Sequence, residues 1–95
     1  MQITIQGVGV KITEALNDFI NDKFRKLERK SELITAVTVT LSVEKLTQIA
    51  KADLQVTGSS LHAQASDENM YNAIDALIDK VDRQLVRHKE KLKQE

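Results

Sequence analysis

The 95-residue sequence contains no cysteine and no proline, and it has only three glycines. Without cysteine the chain can form neither a disulfide nor a thiolate zinc site, so its stability has to come from packing. Without proline, and with so little glycine, no flexible linker divides the sequence. We therefore predict one continuous domain over residues 1–95.

Long apolar runs are also absent. No segment approaches the roughly 18 apolar residues of a membrane helix, and residues 1–5 lack the basic and apolar parts of a signal peptide. Hydrophobic residues make up 41% of the chain and charged residues 29%, which are values typical of globular domains. We expect a folded protein that stays in the cytoplasm and does not associate with a membrane.

Hydrophobic periodicity predicts an α+β protein with the element order β-α-β-β-β-α. Strands are predicted where apolar and polar residues alternate, at residues 2–6, 34–43, 50–57 and 61–65. Residues 14–30, and those from Met70 onward, repeat apolar residues at helical spacing. Because only one sheet face is apolar and each helix must bury a stripe, both helices should cover that face. The prediction is a two-layer sandwich with a four-stranded sheet, two helices on one face, and parallel first and second strands.

Local signals predict where the helices and one turn begin. Thr13 offers an N-cap hydroxyl to the first helix, and Ser66 or Asp67 is the expected cap of the last. Gly58-Ser59-Ser60 is expected to form the turn before the final strand. The core positions expected in the last helix are Met70, Ala73, Ile74, Leu77, Ile78, Val81 and Leu85, with Leu92 as a further candidate.

The net charge is zero, but the charges are unevenly distributed along the chain. Fourteen lysines and arginines balance 14 acidic residues, and 11 of these basic residues fall within residues 23–30 and 80–93. On a helical wheel the last helix separates most of its charges onto two flanks, although Lys89 and Lys93 break the pattern by lying on the acidic side. The basic flank carries Lys80, Arg83, Arg87 and Lys91. The acidic flank carries Asp75, Asp79, Asp82 and Glu90. A lysine row beside the apolar stripe of the first helix carries Lys23, Lys26 and Lys30.

Rows of cations about 5 Å apart suit the phosphates of a nucleic-acid backbone, because each contact releases a condensed counterion. An ordinary solvated surface is the alternative interpretation, and spacing alone does not decide between the two. The only aromatic residues are Phe19, Phe24 and Tyr71, and both phenylalanines lie on an apolar stripe. Since no platform for stacking unpaired bases is expected, folded RNA is the favoured nucleic acid.

No catalytic, metal or cofactor site is predicted. His62 and His88 each lack a second ligand or catalytic partner in the sequence, and Asp75 and Asp79 are interpreted as solvated charge on an exposed helix flank. An acyl-phosphate hydrolase would need an arginine near the first turn, where only Lys11 is basic. We therefore expect a binding protein and not an enzyme.

Four strings carry a family resemblance that extends over essentially the whole chain. They are ITEAL at residues 12–16, KFRKLE at 23–28, MYNAIDALIDK at 70–80 and HKEKLK at 88–93. These strings resemble the short form of the ribosome hibernation promoting factor and ribosome-associated inhibitor family, also called the sigma-54 modulation protein family. The fold implied by the resemblance, β-α-β-β-β-α, agrees with the order predicted from periodicity.

The resemblance also implies a function. Family members bind the decoding region of the small ribosomal subunit and its 16S rRNA, block messenger and transfer RNA, and inhibit translation in stationary phase. Basic positions through which they contact ribosomal RNA match Lys23, Lys26, Lys30, Lys80, Arg83, Arg87 and Lys91.

Partners follow from the same resemblance. Short family members act with a separate ribosome modulation factor to produce inactive ribosome dimers, whereas long-form relatives carry a dimerisation domain. Since this sequence shows no such domain, the free protein is expected to be a monomer. A general double-stranded-RNA-binding module is the main alternative, because it also combines a three-stranded meander, two helices and basic residues. A plain protein-interaction domain is a further alternative.

Overall fold

A four-stranded sheet carries both helices on one face in the computed structural model, which describes residues 1–30 and 33–93. The elements are β1 (Gln2–Val8), α1 (Glu14–Lys30), β2 (Ile34–Glu44), β3 (Thr47–Val56), β4 (Ser59–Asp67) and α2 (Met70–Lys93). The strand order is β1-β2-β3-β4, with β1 parallel to β2 and the other pairs antiparallel. The predicted α+β sandwich, its element order and the parallel pairing of the first two strands are confirmed.

The turn between β3 and β4 lies one residue earlier than predicted. Thr57 and Gly58 form the turn, whereas Ser59 and Ser60 already pair with β3. Gly58 has a φ of 83°, a left-handed conformation that glycine adopts without steric strain. Backbone hydrogen bonds between β3 and β4 continue up to the turn and do not depend on alternating side chains. The predicted strand, residues 61–65, was therefore shorter than β4.

The two helices begin with different capping side chains. Thr13 caps α1 as predicted, because its Oγ1 accepts a hydrogen bond from the Leu16 amide at 3.1 Å. The prediction of Ser66 or Asp67 as the cap of α2 is wrong, since β4 runs to Asp67 and leaves both residues extended. Asn69 caps α2 instead, and its Oδ1 accepts from the amides of Tyr71 and Asn72 at 2.8 and 3.2 Å. A cap must directly precede the first helical residue.

Replacing the cap of α2 tests this assignment. We expect Asn69→Ala to lower the free energy of unfolding by about 1 kcal/mol, because two amides of the first turn lose their acceptor. Urea denaturation followed by circular dichroism measures the change. Glu68→Ala is the control, because Glu68 is an exposed neighbour outside the helix and should change stability by less than about 0.5 kcal/mol. Equal stabilities of the two variants would contradict the assignment.

One apolar core lies between the sheet and the two helices. Its largest fully buried side chains are Ile20, Phe24, Val37, Val39, Leu41, Leu54, Ile74, Leu77 and Val81. Among the core positions predicted in α2, Ile78 is only partly buried, and the Leu92 side chain lies outside the described part of the chain. The rings of Phe19 and Tyr71 meet edge to face with centroids 5.0 Å apart, so Tyr71 packs α1 against the start of α2. This core sets which way the charged flanks of both helices face.

Neither of the helices in the described residues has the length and hydropathy needed to cross a membrane.

Candidate nucleic-acid interface

The two flanks of α2 face different neighbours. On the basic flank, the Lys80 ammonium donates a hydrogen bond to the Gln64 carbonyl oxygen at 2.7 Å, which places this flank along β4. On the acidic flank, the Asp75 carboxylate lies 3.1 Å from the Lys23 ammonium of α1. The charge separation on the helical wheel therefore corresponds to two structural boundaries of α2, one with the sheet edge and one with the other helix.

A line of hydrogen bonds attaches α2 to the edge of the sheet. The donors are Lys80, Gln84 and His88, which are spaced one helical turn apart. Their acceptors are, in the same order, the carbonyl oxygens of Gln64, His62 and Thr57, at 2.7, 2.8 and 2.8 Å. Gln64 and His62 belong to β4, an edge strand whose outward carbonyls need partners from outside the sheet, and Thr57 belongs to the β3–β4 turn. These side chains supply the partners and fix α2 on β4.

Sequence reasoning missed the roles of Gln84 and His88. It interpreted His88 as structural, which the bond to Thr57 supports, but it assigned no partner. The spacing of four that both share with Lys80 was visible in the sequence. The spacing indicates contacts with the sheet only once β4 is known to lie beside this flank.

Three cations of the basic flank remain available for a ligand. Arg83, Arg87 and Lys91 are exposed, and none of them has an ion pair or a side-chain hydrogen bond within the described residues. They follow one another at intervals of four, about 6 Å along the helix axis. Because α2 is bonded to β4 along the same flank, these cations project from a supported helix. Arginine and lysine in such a row favour contact with a series of phosphates.

The lysine row of α1 has a different environment. Lys23 pairs with Asp75, and its ammonium also lies 5.1 Å from the centre of the Phe19 ring. Lys26 pairs with Asp22 of its own helix at 3.3 Å. The side chain of Lys30 lies outside the described part of the chain. Exposed ion pairs contribute only about 0–1 kcal/mol of stability. A phosphate can therefore replace either carboxylate with little loss of free energy.

The basic residues predicted from sequence therefore fall into two groups. Lys80, Arg83, Arg87 and Lys91 lie together on the β4 side of α2. Lys23 and Lys26 lie on the other side, where a groove of about 180 Å³ between the helices is also lined by Asp79 and Asp82. The acidic flank of α2 thus separates the two groups. Asp75 is exposed, as the interpretation of solvated charge predicts, and its carboxylate also pairs with Lys23.

The side chain of the other histidine points away from this flank. His62 is on the sheet face that carries no helix, with its Nδ1 2.6 Å from Asp53 Oδ1. Within residues 1–30 and 33–93, no three metal-ligating side chains form a cluster.

The fold and the basic flank define a small α+β protein that presents a cationic helix beside a sheet edge. Comparison with known proteins identifies the family to which the chain belongs. The chain matches the family described as Sigma 54 modulation protein / S30EA ribosomal protein over residues 3–93. A ribosome hibernation promoting factor from Salmonella typhimurium is 55% identical over 94 residues, which cover 99% of both chains.

Solved structures share the fold. A ribosomal subunit interface protein from Coxiella burnetii has a TM-score of 0.91 and 30% identity, with 95% of this chain and 99% of that chain covered. The N-terminal domain of Thermus thermophilus Protein Y has a TM-score of 0.86 and 26% identity, covering 93% and 99% of the two chains. The chain belongs to the Sigma 54 modulation protein / S30EA ribosomal protein family, as the resemblance predicted. This is a family of binding factors, so membership confirms the prediction of a non-catalytic protein.

Proposed function

We propose that this protein is a ribosome hibernation factor that binds the small ribosomal subunit through its basic flank. The relatives named ribosome hibernation promoting factor and ribosomal subunit interface protein support a ribosome-associated hibernation role. The observation that carries the choice of surface is the set of three exposed cations without partners among the described residues, Arg83, Arg87 and Lys91. Ribosomal RNA is the polyanion that such a row fits.

Binding through this surface depends on phosphates and on a supported helix. Arg83, Arg87 and Lys91 contact successive phosphates of 16S rRNA and release the counterions condensed there. Hydrogen bonds from Lys80, Gln84 and His88 hold the helix against β4, so little conformational freedom is lost when the RNA binds. Contacts of this kind position the protein on folded RNA without selecting a base sequence.

The lysine row supplies a second contact. Lys23 and Lys26 leave Asp75 and Asp22 and pair with phosphates on the other side of α2, which exchanges one weak exposed ion pair for another. The acidic flank between the two groups repels RNA that lies directly across both helices. Two separate RNA segments, one on each side of α2, therefore fit this charge distribution better than one continuous strand.

The proposed consequence is steric. A monomer bound in the decoding region of the small subunit occupies space that messenger and transfer RNA need, so translation stops in stationary phase. Together with a ribosome modulation factor, the bound protein favours inactive ribosome dimers. The protein acts in the cytoplasm, where ribosomes are assembled into these dimers.

Co-sedimentation with purified small ribosomal subunits tests the proposal. We expect saturable binding that weakens with salt, with a log-log slope of roughly 3.5 to 4.5 if all five proposed cations contact phosphates. Transfer RNA should compete with the protein for the subunit. An RNA duplex of generic sequence, titrated over the same salt series, is the control and should bind much more weakly.

Other outcomes would contradict parts of this proposal. Equal binding to subunit and duplex would favour the general double-stranded-RNA-binding module. An affinity that does not change with salt would indicate contacts mainly with ribosomal proteins. If the protein bound neither the subunit nor the duplex, the basic flank would be an ordinary solvated surface.

A further inference from the structure

A groove lies between the β3–β4 turn and the C-terminal half of α2, and we call it the turn groove. Its volume is about 530 Å³, within the usual range for small-molecule sites. The hairpin contributes Gly58, Ser59 and Leu61 to its lining, and the helix contributes Arg87, His88 and Lys91. The two walls are distant in sequence, so periodicity and helical wheels did not reveal the groove.

Hydrogen bonds connect the two walls directly. The His88 Nε2–H donates to the Thr57 carbonyl oxygen at 2.8 Å, and the Gln84 side-chain amide donates to the His62 carbonyl oxygen at the same distance. Since a carbonyl oxygen only accepts, the hydrogen of the His88 bond must be on Nε2. The groove is therefore formed before any ligand enters it.

The mouth of the groove is open at the turn. A Cβ added to Gly58 would meet no atom within 4 Å, so the turn backbone is accessible to a ligand. Ser59 is exposed beside it and presents a hydroxyl group. Leu61 and His88 are partly buried and give the interior an apolar side chain and a flat imidazole ring.

The charges in the groove favour an anion. Arg87 and Lys91 lie one helical turn apart and are both exposed, and among the described residues no carboxylate contributes to the lining. The groove therefore combines two cations at one wall, a hydroxyl at the other, and an apolar surface with an imidazole between them. A nucleotide has the matching groups, namely a phosphate, a ribose with hydroxyls, and a flat base.

We infer that the turn groove binds one unpaired nucleotide of RNA. The two phosphates that flank this nucleotide contact Arg87 and Lys91, its ribose lies near Ser59, and its base packs against Leu61 and His88. This inference rests on the proposed function, because the ribosomal subunit supplies the RNA. It adds a contact with a splayed-out base to the phosphate contacts of the helix flank, although the sequence contains no aromatic stacking platform.

A variant that fills the groove tests the inference without removing a cation. Ser59→Tyr places a ring in the groove at a strand position where tyrosine is well tolerated. Ser60→Tyr is the matched control, since the same change at the next residue of β4 falls on the sheet face without helices. We expect Ser59→Tyr to weaken binding to small ribosomal subunits about tenfold, because a base contact of this kind is lost, and Ser60→Tyr to leave binding unchanged. Thermal melts followed by circular dichroism establish that both variants fold.

Amide NMR of the 95-residue protein distinguishes the possible ligands. An unpaired RNA pentanucleotide should shift the amides of Gly58, Ser59 and His88, whereas inorganic phosphate at the same concentration should not. Shifts caused by a 5′-mononucleotide but not by the pentanucleotide would overturn the inference and indicate a site for free nucleotides. Ser59→Tyr binding with wild-type affinity would also overturn it, while leaving the proposed function intact. Failure of the wild-type protein to bind subunits would instead overturn the proposed function. The pentanucleotide titration would still show whether the turn groove binds unpaired RNA.

Discussion

Reversing the three cations of the basic flank that lack partners should abolish association with the small ribosomal subunit. In the triple variant Arg83→Glu, Arg87→Glu and Lys91→Glu, three attractive phosphate contacts become repulsive. Each charged hydrogen bond contributes about 1.5–3 kcal/mol, and each 1.4 kcal/mol is about tenfold in affinity. We therefore expect a loss of at least about a hundredfold, measured by co-sedimentation at fixed salt. All three side chains are exposed, so the thermal midpoint should change little.

The chain offers a control with the same change in net charge. Lys11, Lys45 and Lys51 are exposed and lie outside both helices, and reversing all three should leave association nearly unchanged. Equal losses in the two triple variants would show that binding follows net charge and not this surface. Retained binding by the flank variant would remove α2 from the proposed interface.

Lys80 is left out of that variant for a structural reason. Its ammonium is bonded to the Gln64 carbonyl oxygen, so a glutamate there would place a carboxylate against a carbonyl. A loss of binding by a Lys80 variant would therefore combine the loss of a cation with movement of α2 on β4. Arg83, Arg87 and Lys91 report on the ligand contact alone.

Truncating the largest fully buried side chain should produce the largest loss of stability. Phe24 is 0% exposed and lies in the core shared by both helices and the sheet. We expect Phe24→Ala to lower the free energy of unfolding by about 3–5 kcal/mol, because apolar contacts are lost and a cavity remains. Small domains are stable by about 5–15 kcal/mol in total, so this variant should be close to unfolding at physiological temperature. Urea denaturation measures the change.

A surface leucine provides the comparison. Leu46 is 85% exposed in the β2–β3 turn, and Leu46→Ala should change stability by less than about 0.5 kcal/mol. If Phe24→Ala were no more destabilising than Leu46→Ala, the packing of α1 described above would be wrong. Phe24→Ala also provides a comparison for the charge reversals. It should reduce ribosome association by unfolding the protein, whereas the charge reversals should reduce association without unfolding it.

The arrangement of charge gives a protein with no net charge a positive surface, which the proposed RNA contacts use. The four cations of the basic flank lie on the β4 side of α2, while Asp75, Asp79 and Asp82 face α1 and its lysines. The whole chain is neutral because 14 acidic residues balance 14 basic ones, but the basic flank of α2 stays positive because Arg83, Arg87 and Lys91 have no carboxylate partner among the described residues. A binding surface depends on the local distribution of charge more than on its total.

The sequence by itself determined the elements and the fold class. Periods of two and 3.6 residues located four strands and two helices, because each element must bury an apolar face. The Thr13 cap was also predictable, since it follows from residues three positions apart. The division of α2 into two charged flanks came from the geometry of a single helix. All these properties depend on neighbours within a few residues of the chain.

Only the tertiary structure decided what each flank of α2 meets. Packing turns the acidic flank toward Lys23 and brings Lys80, Gln84 and His88 onto carbonyls 16 to 31 residues earlier in the chain. The same packing forms the turn groove from β3–β4 and the end of α2. The Asn69 cap was missed because the end of β4 is set by its pairing with β3 and not by its own side chains. Contacts between distant segments require the relative placement of whole elements, and periodicity carries no information about that placement.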